Sequence, residues 1–391
     1  MVGFSVPEWV VHMLRRAGLV GFVAAVAICL PAVPATAAGW TQVPTPEPAG
    51  SDYSTLPGLV TVSPAESWAV GFTRSATATV FRPLIERWTT AQGWRLATPA
   101  ALPAGTDARF AAAAATAPTD VWAVGQTFDS AFTSHGFIQH WNGSSWQRVA
   151  PAAGEPAGTA LLGVAALSAS NAWAVGFARD PATFDEATVV EHWDGVAWRL
   201  VPTPDLGTTA RFSAVAAVSA TDIWAVGRLV DAEVPLVEHW DGARWSRTAT
   251  PAVGRDSLFS GVTAISSTDV WVVGTQRVTR TLVEHWDGTA WTVVASPNVP
   301  NQTHSALMAV SAASSADIWA VGLSLMNAAF ASTLTEHWDG TAWTIVPSPN
   351  APASFSTRLL AVHAHPGWPL FGTGDAQSQT GPTHPFALRS S

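Results

Sequence analysis

Five times along the chain a carboxylate or carboxamide stands directly before an imidazole and an indole: Gln139-His140-Trp141, Glu191-His192-Trp193, Glu238-His239-Trp240, Glu284-His285-Trp286 and Glu336-His337-Trp338. A sixth copy keeps the acid but reads Glu86-Arg87-Trp88. Carboxylate beside imidazole is the material of acid–base catalysis and of metal ligation. The spacing argues against both uses. Zinc ligands sit about 2 Å from the ion, whereas equivalent positions on stacked sheets are about 10 Å apart. One copy per repeat therefore describes architecture, and the expected role is hydrogen bonding inside the protein. A companion set, Asp120, Asn171, Asp222, Asp269 and Asp317, falls two residues before a Trp. It is expected to accept backbone N–H groups, as Asp and Asn do in turns.

Less regular chemistry lies between the copies. Asp180, Phe184, Asp185 and Glu186 share one stretch, Asp129 and His135 another. Arg109 and Arg211 stand at equivalent positions near the start of a repeat, and Arg358 takes a similar place near the C-terminus. Guanidinium groups converging on a channel mouth would recognise a carboxylate or phosphate through paired N–H donors. Tyr53, Phe132, Phe184 and Phe330 are the aromatic residues outside the repeated positions that are available to stack on a sugar ring. A carboxylate pair drawn from scattered loops would instead make a glycosidase or lyase, and such a pair leaves no local spacing. The chain carries no Asp-x-Asp-x-Asp-Gly calcium loop and no Gly-x-Ser-x-Gly elbow. Neither a metal site nor a cofactor is expected.

The elements that must position these residues come from one module, written Asp222-Ile223-Trp224-Ala225-Val226-Gly227, then Glu238-His239-Trp240-Asp241-Gly242, then Trp245. Its first Trp recurs at 68, 122, 173, 224, 271 and 319, a period of 47 to 54 residues, which marks blades, solenoids or arrays. Within the fourth copy, runs at 212–218, 223–227 and 236–240 and a last run from Trp245 give four short strands, the content of a propeller blade. The dipeptides Asn142-Gly143, Asp194-Gly195, Asp241-Gly242, Asp287-Gly288 and Asp339-Gly340 supply tight hairpins between third and fourth strands. In the first copy one extra residue separates Trp88 from Trp94, so a bulge or longer loop is expected there. Alternation puts Trp224 and Val226 on one face and Ala225 and Gly227 on the other, a bulky face against a flat one between neighbouring sheets. The repeated Trp residues are thereby core.

The two ends of the chain fix the closure. Trp40 to Pro46 matches a fourth strand, Trp343 to Pro349, but has no blade of its own, whereas 359–362, 369–372 and 385–388 are three degenerate strands without a fourth. The sequence thus predicts an all-β, seven-bladed β-propeller of four-stranded antiparallel blades over residues 39–391, with the N-terminal strand closing the last blade. Small residues at 111–115 and 214–217 suit strands crowded near an axis. Pro202, Pro251, Pro297 and Pro347 end the outermost strands and discourage edge pairing.

Residues 1–38 read as an export signal. Arg15-Arg16 precede an apolar stretch from Ala17 to Leu30, then Pro31, Pro34 and an Ala35-Thr36-Ala37 cleavage site. The stretch is short of the roughly 20 residues of a membrane span, so no stable span is expected after cleavage, and the twin arginines leave the export route open. The sole Cys, Cys29, falls inside this segment, which leaves a mature chain without disulfides or thiolate chemistry. Charged residues are 12%, every basic residue is Arg, and the net charge is −9. That balance speaks against nucleic acid as a partner.

The Trp-Ala-Val-Gly and Glu-His-Trp-Asp-Gly repeat resembles the Trp-rich propeller repeats of secreted bacterial proteins and is broadly similar to kelch and galactose-oxidase-type propellers, across residues 40–391. It departs from kelch in lacking a Gly-Gly pair, from WD40 in lacking Gly-His, and from the sialidase Asp box by one residue. No catalytic residue carries over, and a galactose-oxidase Cys–Tyr crosslink has no cysteine to form it. Loop lengths vary between second and third strands and between blades, and these loops emerge on one face. The expectation is a secreted, non-enzymatic protein that binds an extracellular glycan or protein there. Carboxylates at the channel mouth would make it a glycosidase or lyase instead, and a cell-surface assembly component is a third reading.

Overall fold

The computed structural model describes residues 39–326, 330–378 and 381–390, and throughout them the regular structure is β. The expected export segment lies outside the described residues. No helix among the described residues is long and apolar enough to cross a membrane.

The fourth module shows how the repeat becomes a sheet. Strands Ala210–Ser219, Asp222–Leu229, Val234–Trp240 and Trp245–Arg247 pair antiparallel in chain order. Trp240 lies opposite Trp245 across the last hairpin. That hairpin holds because Asp241 Oδ1 accepts the N–H groups of Ala243 and Arg244, both at 2.9 Å. Gly242 turns the chain at φ 94°, a value that residues with a Cβ resist. Four further four-stranded sheets follow the same order, with inner strands Asp107–Ala117, Thr159–Ser168, Leu258–Ser266 and His304–Ser314.

The remaining strands form an eight-stranded sheet built from the two ends of the chain. Strand Trp40–Val43 pairs antiparallel with Thr383–Ser390, Trp40 opposite Ser390. Strands Ser354–His363 and Phe371–Ser378 continue that half, so Pro369 lies in the loop before its expected strand. A single parallel bridge, Tyr53 to Thr383, joins it to the first module. In that module the extra residue before Trp94 makes neither a bulge nor a longer loop. Trp88 still faces Trp94, and an added pair, Thr89 with Gly93, lengthens the hairpin over a three-residue turn.

Every inner strand carries a β-bulge at the same place. The register skips Ala111, Leu162, Ser213, Ser260, Met308 and Leu360, and in the first module Leu56 and Pro57. The bulge explains the glycine of Trp-Ala-Val-Gly better than interlocking of neighbouring sheets does. A Cβ on Gly227 would lie 2.0 Å from the carbonyl oxygen of Arg211, and on Gly125 1.9 Å from that of Arg109. No side chain fits against backbone at that distance, so glycine is required within its own sheet.

The indoles fill the space between sheets. Trp224 is buried, with ring centroids 5.3 and 5.5 Å from Trp286 and Trp291 of the next module. Its other face stacks on His239 of its own sheet at 4.2 Å. The turn acids take a different role from the one expected. They accept from side chains: His239 Nε2 lies 2.8 Å from Asp222 Oδ1, His285 Nε2 2.9 Å from Asp269, and the Trp271 indole N–H donates to Asp269 at 2.8 Å. In the first module Arg87 replaces the histidine, donating to Glu66 at 2.9 Å while its guanidinium covers Trp68 at 5.1 Å.

The repeated Glu and Gln side chains are fully buried, as an architectural role requires, but only half of them find hydrogen-bond partners. Gln139 Oε1 accepts the Ala100 N–H at 2.9 Å, and Glu191 Oε2 accepts that of Ala152 at 2.9 Å. Both donors stand six residues after the Trp of the preceding outer strand. The same position holds Pro46, Pro204, Pro251 and Pro297 before Glu86, Glu238, Glu284 and Glu336, and proline has no N–H. Glu336 instead takes the Ser296 hydroxyl at 2.7 Å, while Glu86, Glu238 and Glu284 have no partner. Burial pushes these carboxyls up, Glu86 to about 9, Glu284 and Glu336 to about 8, Glu191 and Glu238 to about 7. Desolvation penalises the charged form and holds the proton on.

Candidate functional site

A cavity of about 940 Å³ runs where the inner strands meet. Its wall is made by the bulged residues, Leu162, Ser213, Ser260, Met308 and Leu360 among them, with the small Ala111 and Ala112 of the expected crowded strand. The bulge therefore has a positional consequence. It inserts one side chain per inner strand into the axis, and the residue two before it begins the rim. Those rim positions are Thr55, Arg109, Ala160, Arg211, Leu258, Ala306 and Arg358, the residues whose carbonyls approach the glycines.

The three arginines expected at the mouth all line the cavity, and each is bound to an acid of its own surroundings. Arg358 donates from Nε and Nη2 to the two oxygens of Asp375 at 2.8 and 2.7 Å. Asp375 is buried and also accepts the Thr55 hydroxyl at 2.8 Å. Arg109 forms the same fork on Asp107 at 3.0 and 3.1 Å, with its guanidinium 4.3 Å from the centre of the Phe81 ring. Arg211 donates through Nε to Glu186 at 2.5 Å and through Nη2 to the same carboxylate. Arg179, from the next strand of the neighbouring module, reaches Glu186 at 2.6 Å. Glu186 is buried between the two, and Phe177 lies under both guanidiniums at 4.6 and 5.7 Å. These are bidentate, partly desolvated pairs with fixed geometry, and they give the mouth a rigid wall in place of solvated loop charges.

The expected loop residues divide. Phe184 lines the cavity with Phe132, and both rings project into solvent. Asp180 turns inward on its own loop, its Oδ1 accepting the N–H groups of Ala182 and Thr183 at 2.7 and 3.1 Å. The Ala182 bond, with that of Thr183, holds the carboxyl below the usual range. Asp129 does the same with Ala131 and Thr133, and His135 lies 3.4 Å from its other oxygen. Asp185 is exposed, gives its N–H to Thr183 and is not on the cavity wall.

Of the other aromatic candidates, Tyr53 is on the wall but packed rather than displayed. It stacks on Phe72 at 5.9 Å, and burial, with Asp375 nearby, raises its hydroxyl. Phe330 packs on Phe355 at 4.6 Å, away from the cavity. Arg179, Arg228, Asp375 and Met308 belong to the wall and went unpicked by motif reasoning. The fixed offset from each Trp-Ala-Val-Gly glycine back to its rim position finds Arg109, Arg211 and Arg358 but not Arg179 or Arg228, which come after the glycine. Among the described residues no group of three or more His, Cys, Asp or Glu is placed to hold a metal ion.

No family model matches the chain, and neither does any curated protein. Solved structures do. YCF48 bound to D1 peptide superposes with a TM-score of 0.55 at 12% identity over 92% of this chain and 98% of that one. YCF48 from Cyanidioschyzon merolae gives 0.55 at 14% over 90% and 98%. A six-bladed fucose-binding lectin from Aleuria aurantia gives 0.46 at 12% over 70% and 89%. At these identities the YCF48 likeness establishes the β-propeller fold alone.

Proposed function

We propose that this chain is a secreted, seven-bladed binding propeller that takes an extracellular glycan or protein at the variable-loop mouth of its channel. The count is supported by the inner strands, each of which neighbours the next from Ser51–Ser63 round to Ser354–His363, which returns to Ser51–Ser63. Secretion rests on the N-terminal sequence. The observation that carries the binding reading is the cavity itself, of a size typical of ligand sites, opening between loops that differ from module to module.

Pairing also favours binding over hydrolysis. A carboxylate pair for glycosidic chemistry needs one acid free to hold or release a proton, yet Asp107, Glu186 and Asp375 each sit in arginine forks. The carboxyls that influence one another, Glu155 with Glu191 and Glu47 with Glu86, are not on the cavity wall.

The test compares three proteins on glycan arrays and in affinity capture from culture supernatant: the unaltered chain, Phe132→Ser with Phe184→Ser, and Val196→Asp. Val196 is 83% exposed on a third-to-fourth strand hairpin, at the opposite end of the strands. Retention of one glycan or protein by the first and third, and its loss from the second, is the expected result. Equal loss from both variants, or turnover of glycosidase or lyase substrates, would overturn the reading.

A further inference from the structure

Phe132 and Phe184 stand where neither hydrophobicity nor backbone geometry would put them. They are 87% and 70% exposed, at φ 62° and 64°, in the left-handed region that side chains with a Cβ rarely adopt. Both belong to one device used twice. In each loop an aspartate oxygen accepts two backbone N–H groups, and the phenylalanine N–H donates to that aspartate's carbonyl, at 3.0 Å for Phe132 and 2.9 Å for Phe184. The turn therefore holds the ring outward, and strain of this sort persists where the surroundings enforce it. Neighbouring modules supply the two rings to the same cavity.

Behind these lips the wall changes character. On the axis Leu162, Met308 and Leu360 are the large side chains, with the small Ala111, Ser213 and Ser260 between them. At the rim the side chains of Arg109, Arg211 and Arg358 keep 17%, 13% and 18% of their surface open; the acids paired with Arg211 and Arg358, Glu186 and Asp375, keep 3% and 2%, and Asp107, paired with Arg109, keeps 15%. The lining holds five arginines and one acid, in a chain of net charge −9. A ligand entering here meets aromatic edges, then guanidinium, then apolar surface. Sugar hydroxyls would lose water against Leu162, Met308 and Leu360, with only the Ser213 and Ser260 hydroxyls of that ring to offset the loss.

We propose that the occupant of the mouth is an extended polypeptide segment in which a large apolar side chain adjoins carboxylates. The apolar side chain passes between Phe132 and Phe184 toward the channel, and the flanking carboxylates lie along the arginine rim. This rests on the binding reading above and chooses, within it, protein over glycan.

A displayed library of random dodecapeptides, selected on the full chain, tests it. The expected winners carry Phe, Trp or Leu beside Asp or Glu. A synthetic winner should bind at least about tenfold more weakly once its apolar residue becomes Ala, and at least about tenfold more weakly to Phe132→Ala with Phe184→Ala. Raising salt from about 50 to about 300 mM should weaken it further, because part of the attraction is screened. Both lip positions are solvent-exposed, so that variant keeps its fold, which a thermal melt checks; Ala111→Trp, narrowing the channel, provides a second block. Winners that are basic or wholly polar, binding indifferent to both variants, or no enrichment at all would overturn the inference. A glycan retained by the intact mouth in the preceding experiment, with no peptide enriched, overturns this choice and leaves the binding reading standing.

Discussion

Glu186 and Glu238 are both buried, yet one is clasped by two guanidiniums and the other has a single cross-strand arginine, Arg247, with no hydrogen bond to it. At the channel mouth Glu186 lies between Arg179 and Arg211; between sheets Glu238 has no hydrogen-bond partner and its carboxyl is pushed up to about 7. The mouth neutralises buried acid with guanidinium, the repeat with a proton. An ion pair fixes direction as well as charge, because both guanidinium edges must meet both oxygens. A protonated carboxyl fixes only volume. The difference separates a rim where each buried acid is held in a fixed ion pair from a repeated position where Glu86, Glu238 and Glu284 have no hydrogen-bond partner.

The sharpest way to break the comparison is to remove the frame that aims the mouth. Gly227→Ala sets a methyl against the Arg211 carbonyl, 2.0 Å away, so the bulge must open or the sheet must shift. We expect a loss of about 3 kcal/mol or more, at the severe end for single substitutions, read as a fall in the denaturation midpoint. Ala225→Gly, two residues earlier on the same face, should cost only about 1 kcal/mol through backbone entropy. If the two lose equal stability, the carbonyl approach does not explain the glycine.

Next comes Glu186→Gln. It leaves Arg179 and Arg211 with a neutral partner, and breaking a buried pair costs about 3 to 5 kcal/mol. The two arginine side chains are 30% and 13% exposed, so solvent recovers part of that and about 2 kcal/mol is expected. Adding salt should shrink the difference from the unaltered chain, and a difference unmoved by salt would mean that packing rather than charge holds this corner.

The unpartnered side predicts a pH effect of defined sign. A carboxyl whose folded value lies above its unfolded value near 4.5 keeps a proton that the unfolded chain releases, so stability falls as pH rises between the two values. The chain should be more stable near about pH 5 than near about pH 8.5. Replacing Glu86, Glu238 and Glu284 together by Gln should flatten the slope and stabilise the protein at the alkaline end, by about 1 to 3 kcal/mol per site. Glu191 and Glu336, both also raised, keep a residual slope. A triple variant with the original slope would place the titration elsewhere.

These two regions were unequally legible. The Trp spacing and the Asp-Gly hairpins dictate four-stranded sheets because period-two alternation and a turn that only glycine tolerates leave few alternatives, and the orphan strand at Trp40 does pair with the last strand of the chain. Burial of the Glu row followed from its repetition, but its unequal pairing turned on whether Ala or Pro stood six residues beyond a Trp of another module, a contact that appears only when sheets stack. At the mouth, Arg109, Arg211 and Arg358 were readable because they occupy equivalent positions. Arg179 and Asp375 were not, since each projects from a second strand past the glycine, where the module has ceased to repeat. Asp180 misled for a physical reason: a loop aspartate serves its own backbone as readily as a ligand.

The smallest effect expected gives the finest test, because one module already carries the amide. Gln139 accepts the Ala100 N–H at 2.9 Å and returns its own N–H to the Ala100 carbonyl at 3.3 Å. A protonated carboxyl can copy both bonds, with its carbonyl accepting and its hydroxyl donating. An ionised one keeps the first and sets a charge against the Ala100 carbonyl in place of the second. Gln139→Glu should therefore match the unaltered chain to within about 0.5 kcal/mol near about pH 5 and fall behind by about 1 kcal/mol near about pH 8.5. Denaturation midpoints at the two pH values measure it. A constant deficit would show that the position responds to shape alone; a deficit that grows with pH would show that the repeat tolerates acid there only as long as it stays uncharged, which is the condition the arginine-lined mouth was built to escape.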